Sequence, residues 1–144
     1  MSRPGRSLRT TPWHVWAVAI LTLLWNGGGA YTIVMAQMGS SLDMDAHEIA
    51  YYAHQPIWFV VTTDIALLSA VAAAVALWLR SRAATWMFGL SLFAIVANNL
   101  YDVAAKTSLA LADPGWRNLT MAIVIVAALQ FAYAWTMTRR AVLR

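Results

Sequence analysis

Four long stretches of this chain carry almost no charge, and that feature leaves few folds open. The first, Trp13 to Met38 (WHVWAVAILTLLWNGGGAYTIVMAQM), contains no Asp, Glu, Lys or Arg. Pro56 to Leu79, Ala83 to Ala105 and Leu119 to Thr138 follow, with Asp64 and Asp102 as their only charged residues. Each run has ~20 residues or more, enough at a rise of ~1.5 Å per residue to cross a ~30 Å hydrocarbon core. In hydrocarbon every backbone N–H and C=O must be paired within its own segment, so each run is expected to be a helix. The expected fold is all-α: an antiparallel bundle of four transmembrane helices in one domain over residues 1–144. Composition agrees, since 61% of the residues are hydrophobic and 11% charged, against ~45–50% and ~25% in soluble domains. So few charges could not coat a water-facing surface.

The basic residues fall at segment ends. Arg3, Arg6 and Arg9 precede the first run, Arg80 and Arg82 join the second to the third, and Arg139, Arg140 and Arg144 follow the fourth. The other two connections hold only Lys106 and Arg117, together with Asp43, Asp45, Glu48 and Asp113. Positive charge marks the cytoplasmic side, so both termini are expected inside the cell. Trp13, Trp58, Trp78, Trp86, Trp116 and Trp135 lie near span ends, as interfacial anchors do. A net charge of +4 arranged this way points to topology and anionic lipid rather than nucleic acid. A rival reading takes the first run as a signal peptide cleaved after Ala30. The apolar run continues through YTIVMA, and Trp25 and Asn26 are unusual before a cleavage site, so an uncleaved span is expected.

The connection Arg80 to Arg82 is so short that the second and third spans must form an antiparallel hairpin. The loop after the first span is longer. In it Asp45 with Glu48 three residues on reads as a capping box, predicting a short periplasmic helix over 45–54 that stops before Pro56. On it Ile49, Tyr52 and Ala53 are expected at the membrane surface, with His47 and Glu48 toward water. The halves echo each other weakly: Trp13 and Asn26 recur at the same separation as Trp86 and Asn99. A duplicated hairpin and chance both account for this.

Polar residues inside the spans are the candidate functional groups. Asp64 lies eight residues into its span, ~12 Å from the outer edge. A carboxylate at mid-bilayer costs ~2.5–3.5 kcal/mol on insertion scales. Asp64 is therefore either a proton carrier or a structural hydrogen-bond partner of Asn26 or Asn99. In the third span Asn98, Asn99 and Asp102 cluster toward the outer end, Asn98 and Asp102 sharing a face at i, i+4, and Lys106 is placed to pair with Asp102. In the first span Asn26, Gly29, Ile33 and Gln37 follow one stripe. Gly27, Gly28 and Gly29 would let another backbone approach, or let the helix loosen. The inner half is apolar apart from Gln130 and some hydroxyls. These positions predict a polar pocket between the helices, open to the outside, built from Asp64, Asn26, Asn99, Asp102 and Asn98. Interhelical bonding is the plainer role for Asn26, Asn99 and Gln130.

Other chemistries find no support in the residues. With no cysteine, disulfides, thiolate metal sites and thiol redox chemistry are excluded. HEIAYYAH lacks the i, i+4 histidine pair of a zinc protease, and no Ser–His pair or phosphate loop is present, so no enzyme activity, metal or cofactor is expected.

The segments LLWNGGGAYTIVMAQ, Pro56-Ile57-Trp58 and LRSRAATWMFGLSLFAIV carry a resemblance. The chain resembles small four-helix proteins of the bacterial inner membrane labelled as sugar transporters, over about Trp16 to Arg140, most closely at Trp25, Asn26, Gly29, Met35 and Gln37 and then Arg80 to Ser91. In that group an Asp often falls where this chain has Thr32; here the acid is missing and Asp64 stands in the second span. The resemblance implies transport, and its missing first-span acid weakens the transfer of that group's site. The small interior of a four-helix bundle adds the expectation of a homodimer, and the depth of Asp64 that of a proton carrier. The alternative is a non-transporting subunit that packs small residues such as Ser69, Ala72, Ala73 and Ala76 against a membrane-protein partner.

Overall fold

The computed structural model describes residues 12–39, 44–107, 109 and 113–143; Arg3, Arg6, Arg9, Asp43 and Arg144, used above for topology, lie outside them. The chain is all-helical among the described residues: α1 (Trp13–Gln37), α2 (Ala46–Ala53), α3 (Ile57–Trp78), α4 (Ala83–Ala105) and α5 (Pro114–Arg139). Four of these helices are long and apolar enough to cross a membrane, and the chain is a multi-pass membrane protein.

The helix boundaries have local causes. The Asp45 carboxylate accepts from the Glu48 N–H at 2.8 Å while Glu48 accepts from the Asp45 N–H at 3.0 Å, so the capping box starts α2. The last span starts five residues earlier than its apolar run, because Asp113 caps it by accepting from Gly115 and Trp116, and Pro114 has no N–H to leave unpaired. The α3–α4 hairpin closes through Arg80, at φ 60°, with Ser81 N–H on Ala76 O at 2.8 Å and Arg80 N–H on Leu77 O at 3.0 Å. This is the double bond of a Schellman turn, with arginine in the left-handed position glycine usually fills.

The long helices alternate in direction, so both termini and the α3–α4 turn share one end of the bundle and α2 lies at the other. Packing runs α1 on α3, α3 on α4 and α4 on α5, with the α3–α4 contact the most extensive. Two of the small residues named above for a partner, Ala73 and Ala76, lie inside the chain, while Ser69 and Ala72 are half-buried. Ala73, Ala74 and Ala76 are buried within the chain's own core, together with Leu77, Ala84 and Phe88. Small side chains there let two helices approach closely. The core lies at the termini end, where the Arg82 guanidinium also reaches Leu143 O at 3.3 Å and Thr85 bonds Thr138 at 2.8 Å.

Between α1 and α5 the bundle is held by side chains rather than close backbone packing. His14 bonds Tyr133 at 2.7 Å and Asn26 donates to Gln130 at 3.3 Å. A crevice of about 640 Å³ opens beside these pairs, with Leu21, Trp25, Val126 and Leu129 in its walls. Within this chain the glycine triple neither loosens its helix nor receives another one. α1 runs unbroken through Gly27–Gly29, and among the described residues no atom of another helix lies within 4 Å of where their Cβ atoms would be. Trp13, Trp58, Trp78, Trp86 and Trp135 are exposed near helix ends, where interfacial anchors belong.

Candidate functional site

A cavity of about 200 Å³ occupies the α2 end of the bundle. Its volume is below the ~300–1,000 Å³ of drug-sized ligand sites, so it suits a small solute. α3 contributes Phe59 and Thr63, α4 contributes Asn98, Asn99 and Asp102, and α5 contributes Trp116, Thr120 and Ile123; Ile33 and Gln37 come from α1. α2 lies over the mouth and turns Tyr51 and Tyr52 inward.

The polar groups sit in a defined network. Asp102, 9% exposed, accepts from the Tyr51 hydroxyl at 2.6 Å and from the Thr107 hydroxyl at 3.1 Å. Lys106 does not serve as its partner: α4 ends one residue before it, and its φ of 57° carries the chain out of helical register into solvent. Asn98, 7% exposed, donates to Thr63 Oγ1 at 2.8 Å and to Phe59 O at 3.4 Å. Both partners are acceptors, because the Thr63 proton is committed to Phe59 O at 2.9 Å, and this sets which way the amide faces. Its Oδ1 is buried without a partner among the described residues. Such an acceptor costs ~1–3 kcal/mol when left unpaired.

α2 is fastened at two points. Tyr51 is tied to Asp102, and the Trp116 indole donates to Glu48 at 2.9 Å. Burial raises the Tyr51 phenol well above its ordinary value, with the Asp102 hydrogen bond and charge adding to it, so the hydroxyl keeps its proton for this bond. Tyr52 is raised as well, by burial first and then by Glu48 and Asp102. Glu48 was expected to face water; it is half-buried instead, because its carboxylate accepts from Trp116 at the start of α5.

The five residues singled out in the sequence part company. Asn98, Asn99 and Asp102 line the cavity together, Asn99 with its amide on Ile95 O at 2.8 Å. Asn26 is well below it, bonded to Gln130. Asp64 is half-buried where α1 meets α3 and accepts from Gln37 at 3.0 Å, so neither Asn26 nor Asn99 is its partner. Gln37 lines the cavity, which leaves Asp64 one side chain removed from it. Sequence reasoning missed Tyr51 and Trp116. Tyr51 lies close to the capping box, which fixes where α2 begins but not which way it folds back, and Trp116 read only as an interfacial anchor.

Comparison with protein-family models, with curated proteins and with solved structures finds no match to this chain.

Proposed function

We propose that this chain is a small transporter or carrier of the bacterial inner membrane, with the α2-end cavity as its solute site, and that it is not an enzyme. The observation that carries this reading is the α2-end cavity itself, lined by Asn98, Asn99 and the buried Asp102 carboxylate. A few polar side chains converging on a small cavity are what a small-molecule site needs. Orientation follows from charge: Arg80, Arg82, Arg139 and Arg140 gather at the termini end and Asp45, Glu48 and Asp113 at the α2 end, so the termini face the cytoplasm and the cavity the periplasm. α2 acts as its cover, released by breaking the Tyr51–Asp102 and Trp116–Glu48 bonds. Asp64, linked to the cavity through Gln37, is the residue through which a proton would be coupled to solute movement.

The test is solute flux into proteoliposomes with a panel of small polyols, amines and carboxylic acids. At least one class should enter faster than into protein-free liposomes, and Asn98→Leu should abolish the difference. Flux equal to the empty control for every class would rule out transport. Asp64→Asn should remove the dependence of flux on a pH gradient while leaving solute binding intact.

A second reading has its own observation. The α1–α5 crevice is apolar and open at the side, as a groove for a helix of a partner protein would be. In that case purification in mild detergent should yield a stoichiometric second protein, and its loss should follow Leu21→Asn.

A further inference from the structure

The crevice between α1 and α5 has the height of one leaflet. On α5 it runs from Val126 to Thr136 and on α1 from Val18 to Trp25, which is ~15 Å and ~10 Å of helix. A hydrocarbon core is ~30 Å thick, so the crevice covers about half of it, on the termini side. A partner's transmembrane helix crosses the whole core and needs a seat about twice as long. A lipid acyl chain starts at one headgroup layer and ends near the midplane. The crevice fits the chain.

Its walls suit methylenes. Val18, Leu21, Trp25, Val126 and Leu129 present apolar surface. The hydroxyls among them are spent inside the protein: Thr22 donates to Ala19 O at 3.0 Å, Thr136 donates to Tyr133 O at 2.7 Å, and Tyr133 bonds His14 at 2.7 Å. Gln130 is buried and accepts from Asn26. Charge stands at one end only. The lining positions on α5 step by three and four residues through Val126, Leu129, Tyr133 and Thr136, and the next step is Arg140. Arg140 and Arg139 are both exposed, and the Arg139 guanidinium lies 5.0 Å from the centre of the Trp135 ring, an interfacial anchor that sets headgroup depth. The acidic side chains among the described residues, Asp45, Glu48, Asp64, Asp102 and Asp113, all belong to the α2-end half, so none of them stands beside these arginines.

We propose that the α1–α5 crevice is a lipid site: one acyl chain of an anionic phospholipid lies in it, and Arg140 and Arg139 hold the lipid's phosphate. A guanidinium fork matches a phosphate with two parallel N–H···O bonds, and basic groups between helices on the cytoplasmic side are a setting for anionic headgroups. The lipid also has a structural effect. It fills the gap between α1 and α5, which the protein bridges through side chains alone. The solute reading of the α2-end cavity neither supplies this site nor depends on it.

Two lipids with the same chains and different charge test it. The full chain, purified in mild detergent and depleted of lipid, is titrated with dioleoyl phosphatidylglycerol and with dioleoyl phosphatidylcholine, and bound lipid is counted by native mass spectrometry. Phosphatidylglycerol should saturate at one per chain and bind about fivefold or more tightly than phosphatidylcholine. Arg139→Gln combined with Arg140→Gln should erase that preference, whereas Arg117→Gln, at the far end of α5, should leave it intact. Val126→Trp fills the crevice and should weaken both lipids. Leu129→Trp, from an exposed position in the same wall, decides the point if Val126→Trp does not fold; circular dichroism reports folding. Equal affinity for the two lipids, a preference that survives the loss of both arginines, or unaltered lipid binding in a folded tryptophan variant each overturns the assignment. So does a stoichiometric second protein that blocks lipid uptake until Leu21→Asn removes it, which would give the crevice to a partner helix.

Discussion

The two ends of this bundle solve opposite problems. At the termini end the buried residues are almost all apolar: Val15, Ala19, Ala73, Leu77, Phe88, Ala134 and Met137 fill the space between the helices. At the α2 end the buried groups on α4 are Asn98 and Asp102, and the space beside them is unfilled. Lipid tails are as apolar as leucine, so packing and hydrogen bonding rather than hydrophobic transfer hold such helices together. The termini end therefore supplies the close contact that fixes the fold, and the α2 end can keep a polar cavity because the other end is so tight.

This contrast predicts its own largest effect. Phe88 is 2% exposed in the tight end, and Phe88→Ala should cost ~3–5 kcal/mol, the range for truncating a fully buried aromatic. Ile123→Ala, which only enlarges an existing cavity, should cost clearly less. Reversible unfolding in mixed micelles measures both. Equal costs would show that the two ends are packed alike, and the division drawn here would fail.

Next comes the fastening of α2. Tyr51→Phe deletes a hydrogen bond to a carboxylate, for about 1.5 kcal/mol, and should raise amide exchange throughout Ala46–Ala53 while leaving α3 and α4 protected. The variant also carries a pH signature. The folded protein holds the Tyr51 proton more tightly than the unfolded chain, whose phenol has the ordinary value of 10.0, so this stabilisation is complete below that pH and lost as pH rises above it. Tyr51→Phe should flatten the alkaline decline without abolishing it, because Tyr52 is raised too. An unchanged decline would mean that the hydroxyl is not held as described.

Asn98→Leu should change stability little, by less than about 1 kcal/mol. It removes the bond to Thr63 but also the unpaired oxygen, and these oppose each other. A loss of several kcal/mol would place Asn98 among the groups that hold the fold, and would weaken its assignment to a solute.

How much of this was legible beforehand depends on whether one helix or two are involved. The four spans follow from apolar length alone, and the shared face of Asn98 and Asp102 from helical spacing. The capping box that starts α2 is equally local. Asp102 pairing with Lys106 was a reasonable expectation from spacing, but it assumed that α4 continues; the left-handed Lys106 ends it. Of the small residues of α3 read as a face for a partner, Ala73 and Ala76 are buried in the chain's own core while Ser69 and Ala72 are only half-buried, and composition does not say which helix such a face meets. Tyr51 on Asp102 and Gln37 on Asp64 join residues distant in sequence through the placement of α2 and α1, which no periodicity encodes.

The smallest effect concerns the glycines of α1, which belong to neither end. Among the described residues no neighbouring element lies within 4 Å of a Cβ added at Gly28, and α1 is helical through that point. Gly28→Ala should therefore stabilise the isolated chain by about 0.5 kcal/mol, since alanine loses less backbone freedom in a helix. If Gly27–Gly29 instead form the contact between two copies of this protein, the added methyl groups should lower the dimer fraction on size-exclusion chromatography, and the triple alanine variant should do so more strongly. A gain in stability with the oligomeric state unchanged leaves the glycine face without a protein neighbour and shifts any dimer contact toward the α1–α5 crevice, where Leu21→Asn should then break it.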